Sequence, residues 1–293
     1  MKSKPAILPG KPSDPTGVDS IERKAMRDFN RRMRTVSKSY VAALEMIPSS
    51  PTVNRRYEFR LDQALLAALL AQLDLEIDSI LLEGGVNSVW LFEQYVSVAA
   101  LRGITQTFAN LSQQSPAYKS GRESVMAIIR SEPHQRRMSL VRARVFEEMK
   151  GLSGQVKASM ARILTEGIGR GQHPRDIASQ LKKQSVVESR RAHRIARTEI
   201  TTALRRARWD EADEAESLYG VKTKELHLSA LSPTTRATHA ARHGNLYTRE
   251  EVRDWWSIDS NSINCKCSTT SIMVGDDGKP VVPSIIDRAK ARK

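Results

Sequence analysis

Apolar residues recur every three to four positions over most of the chain before Gly220, which is the spacing that predicts α-helices. Prolines and glycines separate these stretches, and Pro48 and Pro51 end the first of them. The leucine-rich second stretch is predicted to bury its surface in its own core or against a partner. The predicted helices cover residues 21–47, 61–82, 87–111, 134–168, 173–181 and 187–217.

The pattern changes after Gly220 to short segments separated by turn-forming residues. Strands are predicted over 221–228 and 265–274, and short helices are predicted through His239 and over 248–256. The predicted fold class is therefore mainly α with a small α+β C-terminal module. An extended helical N-terminal half and a basic, proline-rich arm at the N-terminus precede that module.

Changes of composition along the chain predict four segments. Prolines among lysines and glycines at the start leave little to bury, so part of the first segment is predicted to be disordered. The segments are a basic arm and linker at 1–56, a helical region at 57–170, a C-terminal domain at 171–276 and a basic tail at 277–293.

Positive charge is concentrated in part of the chain, whose formal net charge is +14. Residues 111–210 contain 21 lysines and arginines against 9 acidic residues, whereas residues 211–293 contain 12 of each. Such an excess favours phosphate-rich or acidic partners, and two interpretations stay open: a solvated basic surface and contact with nucleic acid. The candidate contact residues are Arg136, Arg137, Arg142, Arg144, Arg190, Arg191, Arg194, Arg205 and Arg206.

No apolar run has the roughly 18 to 20 residues that a membrane span requires. The best candidate, residues 61–82, is interrupted by Asp62, Asp74, Glu76 and Asp78. The first residues also lack the apolar core of a secretory signal, so synthesis in the cytosol is expected. The sequence therefore predicts a protein without a membrane span.

Both cysteines of the chain lie near its C-terminal end, together with three of its six histidines. His239 and His243 share one face if their segment is helical, and Cys265 and Cys267 share one face of the predicted strand. Two imidazoles and two thiolates suit zinc, so these four residues are the candidate metal ligands and zinc is the candidate cofactor. The other interpretation, favoured by the short Cys-x-Cys spacing, is that the histidines hydrogen-bond loop carbonyls and the cysteines pack as small apolar residues.

Enzymatic chemistry has little support in these residues. His239 is not followed by the glutamate that zinc peptidases use, and the chain contains no nucleophile elbow, phosphate loop or dinucleotide fingerprint. We therefore predict that the protein is not an enzyme. The alternative is a metal-dependent nuclease or hydrolase that uses His227, His239 and His243.

Four motifs in a fixed order mark residues 171–274. They are Gly-x2-Pro-x2-Ile-Ala-x2-Leu from residue 171, Ile-Ala-Arg-Thr-Glu at 195–199, Arg-x2-His-x4-Gly at 236–244 and Asn-Cys-Lys-Cys at 264–267. Together they resemble the phage Mu F-like head morphogenesis family, whose members are also called minor capsid proteins. The structural motif residues that this resemblance marks are Arg197, Glu199, Arg236, Gly244 and Asn264.

The chain departs from the family pattern at three places. His227 stands where the family usually has a tryptophan, the turn at 232–234 lacks an acidic residue, and residues 259–263 lack the usual prolines. The chain is therefore a divergent relative, and no role is predicted for an acidic turn.

The resemblance implies a virion protein that assists head assembly, DNA packaging or DNA ejection without being an enzyme. Its implied location is inside the capsid at the portal vertex, and the host cytoplasm during assembly. The implied partners are the phage portal protein, the major capsid or scaffolding protein, and packaged double-stranded DNA, with multiple copies around the portal. Residues 57–170 would then be the portal- or capsid-interacting region, and residues 171–276 the head morphogenesis domain.

Overall fold

Helices form most of the structure, a computed structural model that describes residues 4–292. The helices are α1 (Asp19–Glu45), α2 (Gln63–Leu81), α3 (Gly85–Ser88), α4 (Ser97–Gln114), α5 (Pro116–Gly121), α6 (Val125–Arg130), α7 (Glu132–Gly169), α8 (Pro174–Tyr219), α9 (Ala237–Ala241), α10 (Arg249–Ser257) and α11 (Ser284–Lys290). A π-helical turn at Phe92–Val96 precedes α4. No helix within the described residues combines the length and the apolar character needed to cross a membrane.

The strands form two small antiparallel sheets. Strands β1 (Ser49–Pro51) and β2 (Tyr57–Phe59) form a hairpin. In the C-terminal part, β3 (Thr223–Leu228) lies between β4 (Leu246–Tyr247) and β5 (Ser268–Met273). The predicted fold class, mainly α with a small α+β C-terminal module, is confirmed.

The prediction of two helices over 173–181 and 187–217 is wrong, because α8 is a single helix of 46 residues. The expected junction, Lys-Lys-Gln-Ser-Val at 182–186, contains neither glycine nor proline, so nothing in it ends a helix. Leu181 directly before it, Ser185 within it and Glu188 after it are all buried. Packing therefore continues across the junction and holds the helix in one piece.

Several short elements have no counterpart in the sequence pattern, among them the β1–β2 hairpin and α11. The β1–β2 hairpin turns at Asn54 and Arg55, and it is Arg55, not the asparagine, that adopts the left-handed conformation (φ 58°). Helix α11 lies inside the basic tail and buries Ile285 and Ala289, which are one helical turn apart. Both elements depend on tertiary packing, which local sequence does not report.

The chain forms two compact units, each built from segments that are separated in sequence. The first comprises the described part of residues 1–23, 93–141 and 196–293, and the second comprises residues 24–92 and 142–195. Helices α1, α7 and α8 each contribute to both units. The four segments predicted from composition stay a prediction.

The core of the first unit lies around the β4–β3–β5 sheet. Leu226, Leu228 and Ile272 from the sheet pack with Ile285 and Ala289 of α11. A second apolar cluster contains Trp209, Val252, Trp256, Cys265 and Cys267. The C-terminal module is thus built on both sides of a three-stranded sheet, and its second cluster contains both cysteines.

Residues 4–18 contain no helix or strand, as their prolines predict, yet they pack within the first unit. Ala6 joins the apolar cluster of the sheet. The Ile7 backbone N–H donates to Asn110 Oδ1 of α4 (2.8 Å), and Gln113 donates to the carbonyl of Pro5 (2.6 Å). Specific backbone contacts therefore hold the arm against α4.

The second unit brings together α1, α2 and the middle of α7. Phe29 and Trp90 meet edge to face, with ring centroids 4.7 Å apart, and Lys157 pairs with Asp78 at 2.8 Å. Helix α2 buries residues only in its C-terminal half, so the full burial expected of this leucine-rich segment is not reached within the chain. Its exposed leucines include Leu65 and Leu75, which are 55% and 74% exposed.

The close approach of α4 to α8 predicts a strict requirement for glycine at position 103. A Cβ at Gly103 would lie 2.5 Å from the carbonyl oxygen of Leu204, so Gly103→Ala is expected to lower the free energy of unfolding by about 2 kcal/mol. Gly151→Ala is the matched control, because a Cβ on that exposed helical residue meets nothing within 4 Å. Its expected gain is about 0.5 kcal/mol. Urea unfolding followed by circular dichroism measures both, and changes of the same sign would contradict this packing.

Candidate metal centre

Three side chains of the C-terminal module converge on one buried point. Helix α9 supplies His239, and the loop that leads into β5 supplies Cys265 and Cys267. His239 Nδ1 lies 3.4 Å from Cys265 Sγ and 3.5 Å from Cys267 Sγ. The three side chains are only 2–3% exposed.

These distances fit a tetrahedral metal ion. Zinc bonds of about 2.3 Å to sulfur and about 2.05 Å to nitrogen place adjacent sulfur and nitrogen ligands about 3.6 Å apart. The two observed separations match that value without any movement of the side chains. Imidazole nitrogen and thiolate sulfur are also the donors that zinc prefers. The group therefore has the chemistry and the spacing of three of the four ligands of a zinc ion.

The two cysteines differ in their proton affinity. The hydrogen bond from the Cys267 thiol, assisted by His239 and the nearby Arg205 cation, lowers the pKa of Cys265. The same contact raises the pKa of Cys267. The Cys267 thiol also donates to the Ser229 hydroxyl, at 3.6 Å. The Cys267 backbone N–H points to Cys265 Sγ at 3.4 Å. The pair thus holds one thiolate at neutral pH, the form in which cysteine binds a metal.

An aromatic wall closes the centre. Trp255 lies with its ring centroid 4.6 Å from that of His239, and His227 stacks on Trp256 at 5.0 Å with an angle of 11° between the rings. Both ring nitrogens of His227 are buried without a hydrogen-bond partner in the described part of the chain. Burial lowers the pKa of His227 to about 3, so the ring is neutral and acts as an aromatic side chain.

The structure does not bring His243 to this group, although the sequence predicts it as a ligand. Its Nδ1 accepts from the backbone N–H of Ser229 (3.1 Å), and its Nε2 donates to the carbonyl of Ala289 (3.0 Å). Helix α9 ends at Ala241, so His243 is not on a helical face with His239. The interpretation that a histidine binds loop backbone therefore describes His243, while His239 faces the thiols.

The motif residues hold the loop that presents the cysteines. Arg236 donates to the carbonyls of Ser260, Asn261 and Ile263 at 3.0–3.2 Å. Asn264 has a positive φ of 54°, and its side-chain oxygen accepts from Arg197 (2.7 Å).

The remaining motif residues support the elements beside that loop. Arg197 also pairs with the buried Glu22 of α1 at 2.8 Å. Gly244 has a φ of 76°, and its N–H donates to the carbonyl of His227 (2.9 Å). Glu199 is buried on α8. The motif therefore fixes backbone geometry around the centre, as a structural motif should.

Arg205 is not a surface arginine, so its predicted contact with DNA is wrong. It is 1% exposed, donates to the carbonyl of Cys267 (3.2 Å) and lies over the ring of Trp256 at 4.8 Å. Arg208, one turn further along α8, is also buried and donates to the carbonyl of Thr269 (2.6 Å). Charge alone did not reveal this role. The spacing of three, together with the buried Ile200 and Leu204, is the signal that places both arginines on an inner face.

The other candidate contact residues are spread over both units. In the first unit, Arg206 is exposed, Arg136 pairs with Glu132, and Arg137 pairs with Glu214 at 2.7 Å. In the second unit, the exposed members are Arg190, Arg191 and Arg194, while Arg142 and Arg144 are half-buried. Arg142 lies over the ring of Phe92.

Comparison with known proteins supports one assignment. Residues 158–270 match the family model described as phage Mu protein F like protein. Residues 158–270 are therefore similar to this family, and the resemblance predicted from the motifs is confirmed. Neither the curated proteins nor the solved structures contain a match to the chain.

The two adjacent arginines of α8 provide a matched test of the centre's support. Arg205→Gln is expected to lower the free energy of unfolding by about 2 kcal/mol, because the Cys267 carbonyl and the Thr202 hydroxyl lose a buried donor. Arg206→Gln removes the same charge from an exposed position and should change it by less than about 0.5 kcal/mol. Thermal and urea unfolding measure both variants. Equal losses would show that Arg205 contributes nothing beyond its charge.

Proposed function

We propose that this protein is a minor component of a tailed-phage head, located inside the capsid at the portal vertex. There it assists head assembly, DNA packaging or DNA ejection. The observation that carries the proposal is the match of residues 158–270 to the Mu F-like proteins. The strongly basic composition is compatible with a protein that shares the head with packaged DNA.

Within this role we assign a structural zinc ion to the C-terminal module. His239 Nδ1, Cys265 Sγ and Cys267 Sγ would hold it, and a fourth ligand would complete the tetrahedron. Such an ion would join α9, a helix of only five residues, to the loop before β5. Its contribution is folding free energy, since structural zinc sites form together with the fold.

The alternative of a metal-dependent nuclease or hydrolase has less support. A catalytic zinc site keeps a position open to water and substrate, whereas the three side chains of this group are buried. The group within residues 4–292 includes no carboxylate that could act as a general base. His243, which the alternative requires, uses both ring nitrogens in backbone hydrogen bonds.

The exposed leucines of α2 are the candidate contact to the portal or capsid protein. Leu65 and Leu75 lie on a helix whose first half buries nothing within its unit. Exposed apolar surface of this kind marks a protein interface. The helix has no lysine or arginine and carries Asp74, Glu76 and Asp78, so its partner would be recognised by apolar contact and not by attraction to phosphate, while the basic surfaces elsewhere meet DNA.

Zinc content tests the metal assignment. The purified wild-type protein should contain one zinc ion per chain by elemental analysis, and chelation should lower its unfolding temperature. Cys265→Ser combined with Cys267→Ser removes both thiolates and should abolish zinc binding. His243→Asn should keep the zinc while it loses stability, because His243 is bound to backbone and not to the metal. A wild-type protein that takes up no zinc, or a double variant that retains it, would refute the assignment.

Virion composition tests the proposed location. Virions washed at high salt and analysed by quantitative mass spectrometry should contain the protein in a small, fixed ratio to the portal protein. A photo-cross-linker introduced at Leu75 should form adducts with the portal or capsid protein. The matched control is Leu218 on α8, which is similarly exposed at 62%, lies outside residues 57–170 and should not cross-link. Absence of the protein from washed virions would end this proposal.

A further inference from the structure

The outer side of α1 is a continuous row of positive charge. Buried residues such as Phe29, Met33 and Val36 define its inner side. The cations follow one another at spacings of three and four residues, which keeps them on the opposite side of the helix. All are exposed, and they are Lys24, Arg27, Arg31, Arg34 and Lys38. At 1.5 Å per residue the row is about 21 Å long.

Neither acidic nor large apolar side chains interrupt the row. Asp28 lies at its border and pairs with Arg31 at 2.6 Å. In the described part of the chain, Lys24, Arg27, Arg34 and Lys38 form no ion pair with a carboxylate. No large apolar residue of α1 is exposed. The surface therefore presents positive charge, but no large apolar or aromatic side chain that could insert into a membrane or stack on a base.

A second set of cations borders the same surface. In the same unit, His193 of α8 hydrogen-bonds through Nε2 with Asn30 Oδ1 (2.9 Å) and with the carbonyl of Met26 (3.2 Å), both on α1. The exposed cations on either side of His193 in α8 are Arg190, Arg191 and Arg194. The α1 row and these three arginines together form what we call the basic face.

We propose that the basic face binds the phosphate backbone of double-stranded DNA, without reading its sequence. A duplex carries one negative charge per about 1.7 Å with both strands counted, so the stretch of duplex that matches a row of about 21 Å carries on the order of twelve phosphates, and those on one side of it can meet the row. Arginines predominate in the face and suit phosphate through their planar donors. This inference rests on the proposed function, in which the protein shares the head with packaged DNA, and it identifies the part of the chain that would contact that DNA. The α1 residues add to the arginines predicted from sequence, since charge counts along the chain do not show the row.

The test compares two full-length variants with the same change in charge. The face variant carries Lys24→Gln, Arg27→Gln, Arg34→Gln and Lys38→Gln. The control variant removes four exposed cations elsewhere, by Lys11→Gln, Lys119→Gln, Arg130→Gln and Arg288→Gln. Fluorescence anisotropy with two labelled duplexes of unrelated sequence, over a series of salt concentrations, measures affinity and its salt dependence. Circular dichroism confirms that both variants are folded.

The wild-type protein should bind both duplexes equally, with an affinity that falls steeply with salt. The face variant should bind about tenfold or more weakly, and its plot of log affinity against log salt should become shallower by about 0.9 for each lost phosphate contact. The control variant should retain most of the affinity. Equal weakening of both variants would overturn the proposal, because net charge alone would then explain binding.

Two further outcomes separate this inference from the proposed function. If the wild-type protein binds an acidic polypeptide or anionic vesicles but not DNA at the same salt, the DNA inference fails while a place in the head stands. If the protein is absent from washed virions, the proposed function fails whatever its affinity for DNA. Incorporation of the face variant into virions at the wild-type level, together with its weaker DNA binding, would show that the face is not required for assembly.

Discussion

The C-terminal module depends on two arginines of α8 that are buried beside the first residues of β5. Arg208 donates to the Thr269 carbonyl and to the Ser268 hydroxyl, and Arg205 donates to the Cys267 carbonyl. Burial lowers the pKa of Arg208 to about 10, so it remains a cation at neutral pH. A buried cation is costly unless its donors are satisfied, and bare carbonyls at the start of a strand are costly too. The hydrogen bonds between the arginines and the carbonyls remove both penalties. They thereby hold the loop that contains Cys265 and Cys267 against α8.

At the C-terminal end of α8 the helix supplies carboxylates, and arginines from elsewhere pair with them. Its carboxylates bind arginines from other segments of the first unit: Arg122 bridges Glu211 and Glu214 at 2.7 and 2.6 Å, and Arg249 binds Asp213 at 2.5 Å. The order of basic before acidic residues along α8 runs against the preference of the helix dipole. The structure accounts for part of this order, since Arg205 and Arg208 meet carbonyls at the start of β5 and the carboxylates meet arginines. Tertiary pairing has set this sequence, and helix stability has not.

The sequence was sufficient for the elements whose signals are periodic or chemical. The apolar period predicts α1 and α7 closely. The predicted strand over 265–274 begins only at Ser268, so Cys265 and Cys267 come together in the loop before β5 and not on one face of a strand. The sequence failed where the outcome depended on where an element ends. His243 would face His239 only on a helix that continued past Ala241, but α9 is five residues long. Arg205 failed for another reason: a count of charges treats buried and exposed arginines alike, and only packing distinguishes them.

The first unit is assembled from segments at opposite ends of the described chain, and this has a consequence for synthesis on the ribosome. Arg292 donates to the carbonyls of Pro9 and Gly10, and α11 packs with Ala6 on the sheet. The second unit has all its segments once Ile195 has been made, so it can fold while translation continues. In the first unit, the carbonyls of Pro9 and Gly10 and the side chain of Ala6 lack their partners until α11 and Arg292 have been synthesised. Contacts of such long sequence separation close slowly, so nascent chains expose the apolar sheet face and its edges longest at this end.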